Sequence, residues 1–290
     1  MSGVGKTRPT ARLLPDGERL HLQHGPIDLI IGADGDRNAA FSAATYRFQT
    51  ILTELVSELP LLRQEVGPQA TGPVARRMVD AARQHKPTFV TPMAAVAGAV
   101  AEEILAAMLA ATPLNRAYVN NGGDIAFHLT DATRFRMAIA GLNGQPLGRV
   151  DVAASDAARG LATSGQGGRS LSFGIADAVT VLAKTAAAAD VAATLIANAV
   201  DLPGHPAIAR APANTLQPDT DLADRLVVTR VGPLVAADTA EALDRGTHIA
   251  QTMLQGGLIL SAALFLNRQV LTVGQNAETF LADPRIPAHA

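Results

Sequence analysis

Residues 120–124 read Asn120-Asn121-Gly122-Gly123-Asp124, the first of three short motifs in the middle of the chain. The second is Leu161-Ala162-Thr163-Ser164-Gly165, and the third is Asp190-Val191-Ala192-Ala193-Thr194 within an alanine-rich stretch. The first two place glycines and small hydroxyls at the ends of expected strands, where backbone N–H groups can face a phosphate. The third places a carboxylate and a hydroxyl four residues apart, on one face of a helix. Together the three motifs indicate a pocket for a metal-bound phosphoryl ligand.

The composition limits the classes of function. Hydrophobic residues make up 48% of the 290 residues and charged residues 17%, which is enough apolar material for a large core. A net charge of -2 and an aromatic content of 3% give neither the basic surface nor the stacking platforms of a nucleic-acid-binding protein. Because the chain has no cysteine, disulfides, thiolate metal sites and a cysteine nucleophile are excluded.

The hydropathy pattern predicts a cytoplasmic protein that does not enter a membrane. The most apolar stretch, 93–109, carries Glu102 and Glu103 in its middle and falls short of the roughly 20 apolar residues that a membrane span needs. The basic N-terminal residues are not followed by the apolar core of a signal peptide. We expect residues 1–12 to be disordered.

The periodicity of apolar residues predicts an α+β fold within one domain, 1–290. Helical spacing is found over 38–66, 74–84, 93–111, 186–199 and 236–254. Strands are predicted at 19–23, 27–31, 88–91, 116–120, 124–130, 135–141, 150–153, 161–164, 172–182, 225–231, 258–265 and 270–273. The segment 201–221, rich in proline and polar residues, is predicted to be a loop. Because strands and helices do not alternate regularly, an antiparallel sheet is favoured over a doubly wound parallel one.

Two of the motifs have a structural and a functional interpretation. Gly122-Gly123 is typical of a tight hairpin, but a turn without side chains also lets a ligand approach the backbone. In the second motif, Thr163 and Ser164 could donate hydrogen bonds to a phosphate or ring carbonyl, and Arg169 could neutralise charge. Taken alone, the same residues favour a surface turn.

The third motif is also open to two interpretations. Asp190 could complement the dipole of a helix N-terminus. With Thr194 it could instead form a hard-cation site, because carboxylate, hydroxyl and phosphate oxygens suit Mg²⁺. The seven histidines show no spacing typical of metal ligands.

These motifs resemble those of the ApbE-like superfamily, whose best-known members are FAD:protein FMN transferases. The transferase motifs NAGGD and GVATSG correspond to residues 120–124 and 160–165, and the D-x-x-x-T metal pair corresponds to Asp190 and Thr194. The resemblance implies an ApbE-like α+β architecture of two related antiparallel sheet-and-helix halves sharing a cleft. It also implies Mg²⁺ bound by Asp190, Thr194 and a backbone carbonyl near Ala94, with the pyrophosphate of FAD completing the shell.

The chain departs from the transferase pattern at two places. The helix motif DLGGIAKGYAVD corresponds to the segment around 93–102, and its lysine falls at Gly98. The segment HIIDP corresponds to 174–178, where Asp177 is kept and the histidine is lost. This pattern resembles the cytosolic, uncharacterised branch of the superfamily.

The resemblance implies a small-molecule ligand, a flavin or another nucleotide-like compound, and no nucleic-acid or membrane partner. The ligand would be bound by residues of the first two motifs, Asn120, Asn121, Gly122, Gly123, Asp124, Thr163, Ser164 and Gly165, and by Arg169. The retained metal pair favours Mg²⁺-assisted phosphotransfer or pyrophosphate cleavage, with Asp177 as base or hydrogen-bond acceptor. The lost histidine and lysine favour a non-enzymatic flavin or pterin carrier or scaffold. A third alternative is FMN transfer to a protein threonine; the oligomeric state is open, a homo-oligomer included.

Overall fold

The computed structural model describes residues 8–65, 67–140, 146–168, 170–274 and 280–282. Backbone contacts divide the chain into two compact units. The first unit contains residues 1–134, 153–162 and 184–191, and the second contains residues 135–152, 163–183 and 192–290. Each unit is therefore assembled from segments that are distant in sequence. The single domain predicted over 1–290 stays a prediction, because compact units also occur within one domain.

Helices and strands are mixed along the described residues, as an α+β fold requires. The strands are β1 (Thr10–Leu13), β2 (Arg19–His24), β3 (Ile27–Gly35), β4 (Leu114–Asn121), β5 (Asp124–Leu129), β6 (Arg134–Ala140), β7 (Pro146–Ala153), β8 (Gly160–Ser164), β9 (Ala178–Ala183), β10 (Ile208–Pro212), β11 (Leu226–Val231), β12 (Ser261–Leu266), β13 (Gln269–Gly274) and β14 (Phe280–Ala282). The α-helices are α1 (Arg37–Ser57), α2 (Leu59–Leu62), α3 (Pro73–Arg83), α4 (Val96–Ala111), α5 (Ala186–Ala199), α6 (Ala213–Leu216) and α7 (Ala236–Gln255).

Most of the predicted elements are confirmed, and two strands are corrected. The helix predicted over 186–199 has those bounds in the structure. No strand forms over 88–91, where the Thr91 carbonyl instead accepts the N–H of Ala94 at the start of a 3₁₀ turn. The strand predicted over 172–182 begins only at residue 178. The residues before it are held by α5 instead, since the Asn198 side chain accepts the Phe173 N–H at 2.9 Å.

Two segments predicted to lack regular structure contain it. Residues 10–13 form β1, which pairs antiparallel with β2, so the disorder predicted over 1–12 is wrong for residues 10–12. Residues 1–7 lie outside the described residues. The loop predicted over 201–221 contains β10 and α6, because β10 pairs antiparallel with β11. Short strands of mixed polarity have a weak periodicity, and their partners are distant in sequence.

The first unit contains six strands that are hydrogen-bonded neighbours in the order β1-β2-β3-β4-β5-β8. Alternate residues of its strands are buried, as the pattern of β2 shows, which is the period of two expected for a sheet with one covered face. Helix α4 packs on α1, α3, β4 and β5 and forms the centre of this unit. Its buried side includes Ile104 and Met108, which have no exposed surface.

The start of α5 lies in a notch between α4 and β8, made by two glycines. A Cβ atom at Gly98 would lie 2.3 Å from the Ala186 carbonyl oxygen, and one at Gly160 would lie 2.2 Å from the Ala186 nitrogen. Real Cβ atoms do not approach backbone atoms this closely, so both positions require glycine. The two glycines therefore set how closely α5 approaches the sheet and α4.

Carboxylates connect α4 and α5 in both directions. Glu102 on α4 accepts the Ala187 N–H at 2.7 Å, in the first turn of α5. Asp190 on α5 accepts the Gly98 N–H at 3.0 Å, in the first turn of α4. Each carboxylate satisfies an amide that has no partner within its own helix and meets the positive end of the other helix dipole.

An ionic network extends from this contact across the first unit. Glu102 pairs with Arg77 at 3.2 Å, and Arg77 pairs with Glu103 at the same distance. Arg47 on α1 then joins Glu103 at 2.8 Å and Glu54 at 2.7 Å. Networks of this kind fix the geometry of three helices relative to one another more than they add free energy.

One helical stretch, Pro92–Ala111, is long and apolar enough to cross a membrane, judged by length and composition, with a mean hydropathy of 1.7. It includes α4, whose Glu102 and Glu103 form the ion pairs described above. Its buried residues pack on α1, α3 and the sheet. These contacts are those of a core helix within the first unit.

The second unit contains three strands that pair antiparallel in the order β9-β12-β13. All six residues of β12 are buried, and α7 packs on β12 and β13. Gly246 of α7 allows this packing, because a Cβ there would lie 2.3 Å from the Val200 side chain and 2.8 Å from that of Leu264. A three-stranded sheet, β14-β7-β6, and a two-stranded sheet, β10-β11, also belong to this unit.

We predict that Gly98→Ala and Gly160→Ala each lower the free energy of unfolding by about 1–3 kcal/mol, the usual cost of forcing atoms into a packed interior. For Gly98 the sign of the change in the free energy of unfolding is informative, because replacing glycine by alanine within a helix normally stabilises the helix by up to about 1 kcal/mol. Urea denaturation followed by circular dichroism measures both values. Gly256→Ala is the matched control: its nearest neighbouring atom is 3.5 Å from the added Cβ, so we expect little change. Equal changes in the free energy of unfolding for all three variants would contradict the close packing of α5 against Gly98 and Gly160.

Candidate functional site

The first motif forms a two-residue hairpin turn between β4 and β5. Gly122 and Gly123 have φ angles of +67° and +113°, which favour glycine. The Asn120 side chain accepts the Gly123 N–H at 2.9 Å, and Asn121 pairs with Asp124 across the two strands. The structural interpretation of these glycines, a hairpin, is therefore confirmed. Approach of a ligand to the turn stays a prediction.

The hairpin is connected to the start of α4 by Asn121. This side chain is 4% exposed, and its amide donates to the Ala97 carbonyl at 3.1 Å. A buried amide without a partner would cost about 1–3 kcal/mol, so the bond fixes the hairpin against α4. The turn and the α4 N-terminus thus form one local structure within the first unit.

Asp190 lies at the same place. Its carboxylate accepts the Gly98 N–H, next to the residue that Asn121 contacts. Withdrawal from water raises the pKa of the Asp190 carboxyl well above its usual range, and the negative charge of Asp124 raises it further. The N–H groups of Gly98 and Ala97 act in the opposite direction. The N-cap residue of α4, Ala95, offers no side chain for these amides, so Asp190 performs that role from another helix.

The other predicted metal ligands have different surroundings. Thr194 lies one turn after Asp190 on α5 and is partly buried. Ala94 lies in the 3₁₀ turn before α4, where its N–H donates to the Thr91 carbonyl. The α4 residue that contacts Asp190 directly is Gly98, four positions after Ala94.

The second motif belongs to the end of β8. The Thr163 hydroxyl lies 2.9 Å from the hydroxyl of Thr180, which has no exposed surface. Ser164 is partly buried. A Cβ at Gly165 would lie 2.5 Å from the Asp177 carbonyl oxygen, so this glycine is required by packing within the second unit. Arg169 lies outside the described residues. Whether these residues bind a ligand stays a prediction.

Asp177 precedes β9 and is fixed by the hairpin that follows β12. Its carboxylate accepts the Asn267 N–H at 2.6 Å, and its own N–H donates to the Phe265 carbonyl at 2.9 Å. Neighbouring protein atoms raise the pKa of the carboxyl, against the effect of the Asn267 N–H. The side chain is nevertheless exposed, so contact with solvent limits this rise. An exposed carboxylate with one fixed oxygen retains its second oxygen as an acceptor.

Three contributors to these sites were not identified from the sequence: the amide of Gly98, the buried hydroxyl of Thr180 and the amide of Asn267. One signal was present for the first of them. An aspartate in an otherwise apolar helix requires a partner, and a helix that begins after alanine leaves amides without a cap. No comparable signal exists for Thr180 or Asn267, which approach the motifs only through sheet pairing.

The structure thus defines an α+β protein with a carboxylate pair and a glycine hairpin at the start of a core helix. The family model described as "AbpE bacteria" matches residues 11–276. The chain therefore belongs to this family. The resemblance to the ApbE-like superfamily, and to an uncharacterised branch of it, is confirmed.

Relatives include UPF0280 proteins of archaea. That of Methanothrix thermoacetophila is 32% identical over 183 residues, which cover 61% of this chain and 75% of the relative. Those of Archaeoglobus fulgidus and Methanopyrus kandleri are 38% and 39% identical over 129 and 148 residues. These segments cover 44% and 50% of this chain and about half of the two relatives, 51% and 54%.

Solved structures confirm the fold. An ApbE protein of Thermotoga maritima has a TM-score of 0.52 at 9% identity, covering 95% of this chain and 99% of that one. The flavinyl transferase ApbE of Pseudomonas stutzeri, in its apo form, has a TM-score of 0.51 at 12% identity, covering 96% and 99%. At such low identities the likeness concerns the fold alone, and it confirms the predicted ApbE-like α+β class.

We predict that Asp190→Asn and Asp190→Ala differ in the metal-free protein. Asparagine keeps an oxygen for the Gly98 N–H and removes the repulsion from Asp124, so its free energy of unfolding should equal or exceed that of the wild type. Alanine leaves the amide without a partner and should be less stable than asparagine by about 1–2 kcal/mol. Urea denaturation in EDTA measures both. Equal destabilisation by both variants would show that Asp190 does not act through the α4 amides.

Proposed function

We propose that this protein binds a flavin or another nucleotide-like ligand and cleaves or transfers its phosphoryl group with the help of Mg²⁺. The observation that carries the proposal is the position of Asp190, which joins the α4 N-terminus beside the Asn120–Asp124 hairpin. Two comparisons agree with a flavin ligand: the family match, and the shared fold of proteins that are named flavin transferases. A small-molecule ligand also agrees with the net charge of -2.

The residues present fit a magnesium ion. Asp190 and Asp124 are close enough for each charge to act on the other, an arrangement that a divalent cation would relieve. Magnesium prefers oxygen ligands and is usually bound by one or two carboxylates together with phosphates. Asp190, with Thr194 one turn away on α5, offers such oxygens. In the described part of the chain no group of three or more His, Cys, Asp or Glu side chains forms a metal cluster, so hydroxyl, backbone and ligand oxygens would complete the shell.

In this function the chain's own residues bind and orient the ligand. The Asp190 carboxylate accepts the Gly98 N–H and also interacts with the Ala97 N–H, which fixes its orientation; its remaining lone pairs would be the ones to contact the cation. The hairpin glycines leave the backbone open at the turn, where a Cβ on Gly123 would meet nothing within 4 Å. The bound Mg²⁺ would stabilise negative charge on phosphoryl oxygens. Asp177, in the second unit, is proposed as the hydrogen-bond acceptor or base.

The second candidate function is a non-enzymatic flavin or pterin carrier or scaffold. It is favoured by Gly98, which stands where the transferases have a lysine and whose Cβ position is filled by the backbone of Ala186. A positively charged side chain that could neutralise a leaving phosphate is therefore missing at this position. Full FMN transfer to a protein threonine is the third candidate, and the lost histidine counts against it. We also propose that the protein is cytoplasmic, whichever of these functions it has.

We expect the purified protein to bind FAD more tightly with Mg²⁺ than without it, and to release FMN and AMP slowly. Isothermal titration gives the affinities, and chromatography of the nucleotides gives the turnover. Asp190→Ala should weaken Mg²⁺-dependent binding by on the order of tenfold or more, because the cation would lose a carboxylate ligand.

Asp80→Ala is the matched control, because Asp80 is exposed on α3 in the same unit and should leave binding unchanged. FAD binding that does not depend on Mg²⁺ and is not followed by turnover would contradict the enzyme and support the carrier. Unchanged affinity of Asp190→Ala in the presence of Mg²⁺ would contradict the metal assignment.

A further inference from the structure

The Asp177 carboxylate lies against the two-residue turn that joins β12 to β13. Asn267 and Arg268 form this turn, with φ angles of +48° and +65°. Two positive φ angles are typical of the type I′ turn, whose twist matches that of the strands it connects. Asparagine adopts the left-handed conformation more readily than most residues other than glycine. In this conformation the Asn267 N–H donates to the Asp177 carboxylate at 2.6 Å.

The side chain of Asn267 is anchored on α7. Its Nδ2 atom donates to the hydroxyl of Thr239 at 3.3 Å, and this threonine has no exposed surface. The Thr239 hydroxyl itself donates to the Val235 carbonyl at 3.3 Å. Because a carbonyl can only accept, the hydroxyl proton is directed at Val235 and its lone pairs are left for Asn267. The hydroxyl therefore fixes both the position and the orientation of the Asn267 amide.

These bonds connect the start of α7 with Asp177, and all of their residues belong to the second unit. The backbone of Asp177 is fixed as well, since its N–H donates to the Phe265 carbonyl at 2.9 Å. The Asn267 N–H lowers the pKa of the Asp177 carboxyl, while withdrawal from water raises it. In the described part of the chain no other hydrogen bond and no charged side chain acts on this pKa. The orientation of the carboxylate thus depends on one backbone amide.

We propose that Asn267 is the positioning residue of Asp177: its backbone N–H orients the carboxylate, and its side chain holds that N–H in place through the buried hydroxyl of Thr239. The inference rests on the proposed function, in which Asp177 is the hydrogen-bond acceptor or base. Asn267 and Thr239 act through Asp177 and do not contact the ligand themselves. A catalytic group displaced by about 1 Å can lose on the order of a hundredfold in rate, so a carboxylate beside a hairpin tip needs such an anchor.

The test compares two pairs of variants of the full chain. Thr239→Val keeps the shape of the side chain and removes the hydroxyl, whereas Thr239→Ser keeps the hydroxyl. The Val235 carbonyl still accepts the N–H of residue 239 at 3.1 Å, so this carbonyl keeps a partner in Thr239→Val. Asn267→Gly keeps the left-handed turn and the N–H but removes the anchor. Arg268→Gly is its matched control, because Arg268 is exposed in the same turn and its side chain takes no part in these bonds.

Two readouts are measured for each variant. Carbon-13 NMR of aspartate-labelled protein gives the pKa of Asp177 without any ligand, and Asp177→Asn identifies its signal. Turnover of FAD with Mg²⁺ gives kcat and KM. We expect the pKa of Asp177 to rise in Thr239→Val and Asn267→Gly, because the N–H is held less firmly. Their kcat should fall by on the order of tenfold with KM nearly unchanged, and the acid limb of the pH profile should move to higher pH.

Thr239→Ser and Arg268→Gly should match the wild type in both readouts. A lower Tm of Thr239→Val and Asn267→Gly with unchanged pKa and kcat would assign the bonds to the stability of the fold and overturn the inference. Equal effects of Asn267→Gly and Arg268→Gly would also overturn it, because the turn and not the anchor would be responsible. A wild-type protein that binds FAD without turnover would contradict the proposed enzyme. The pKa of Asp177, which needs no ligand, would then decide the inference by itself.

Discussion

The reciprocal contact between α4 and α5 is the interaction on which the first unit depends. Glu102 of α4 caps the first turn of α5, and Asp190 of α5 caps the first turn of α4. The amides at the start of a helix have no hydrogen-bond partner in the helix itself, so each carboxylate accepts a hydrogen bond from an amide of the other helix. Glycines at 98 and 160 permit the approach that makes both bonds short. The two bonds join residues that are 85 and 92 positions apart in the sequence, so they hold distant segments of the unit together.

The same contact gives Asp190 a structural role beside the metal-binding role that is proposed for it. One interpretation of the sequence assigned it to a helix N-terminus and the other to a hard cation. The structure supports the first in an unexpected form, since the helix that Asp190 caps is α4 and not its own. The two roles are compatible, because a carboxylate has two oxygens with several lone pairs. Fixing one oxygen on a backbone amide orients the other, as the bonds of an outer shell orient the ligands of a metal.

The sequence predicted the elements whose apolar residues have a strong periodicity, such as α5, and those bounded by clear turn residues, such as the Gly-Gly hairpin. The motifs led to the family. It did not predict β1, β10 or the shortened β9, because these depend on partners that are far away in the chain. The site shows the same division. The residue types of the motifs were recognised, but the convergence of Asp124 and Asp190 follows from sheet register combined with helix packing. Neither the register of the sheet nor the packing of the helices can be predicted from the spacing of residues within one motif.

The departure at position 98 follows from packing. A lysine on the first turn of α4 needs space beside the helix, and here the backbone of Ala186 and Ala187 occupies that space. A side chain at position 98 and the present position of α5 are therefore incompatible. The amides of the α4 first turn supply the positive end of the helix dipole that meets Asp190 here. A lysine at this position would therefore displace α5 and Asp190 with it, so this substitution alone cannot place a positive side chain beside Asp190.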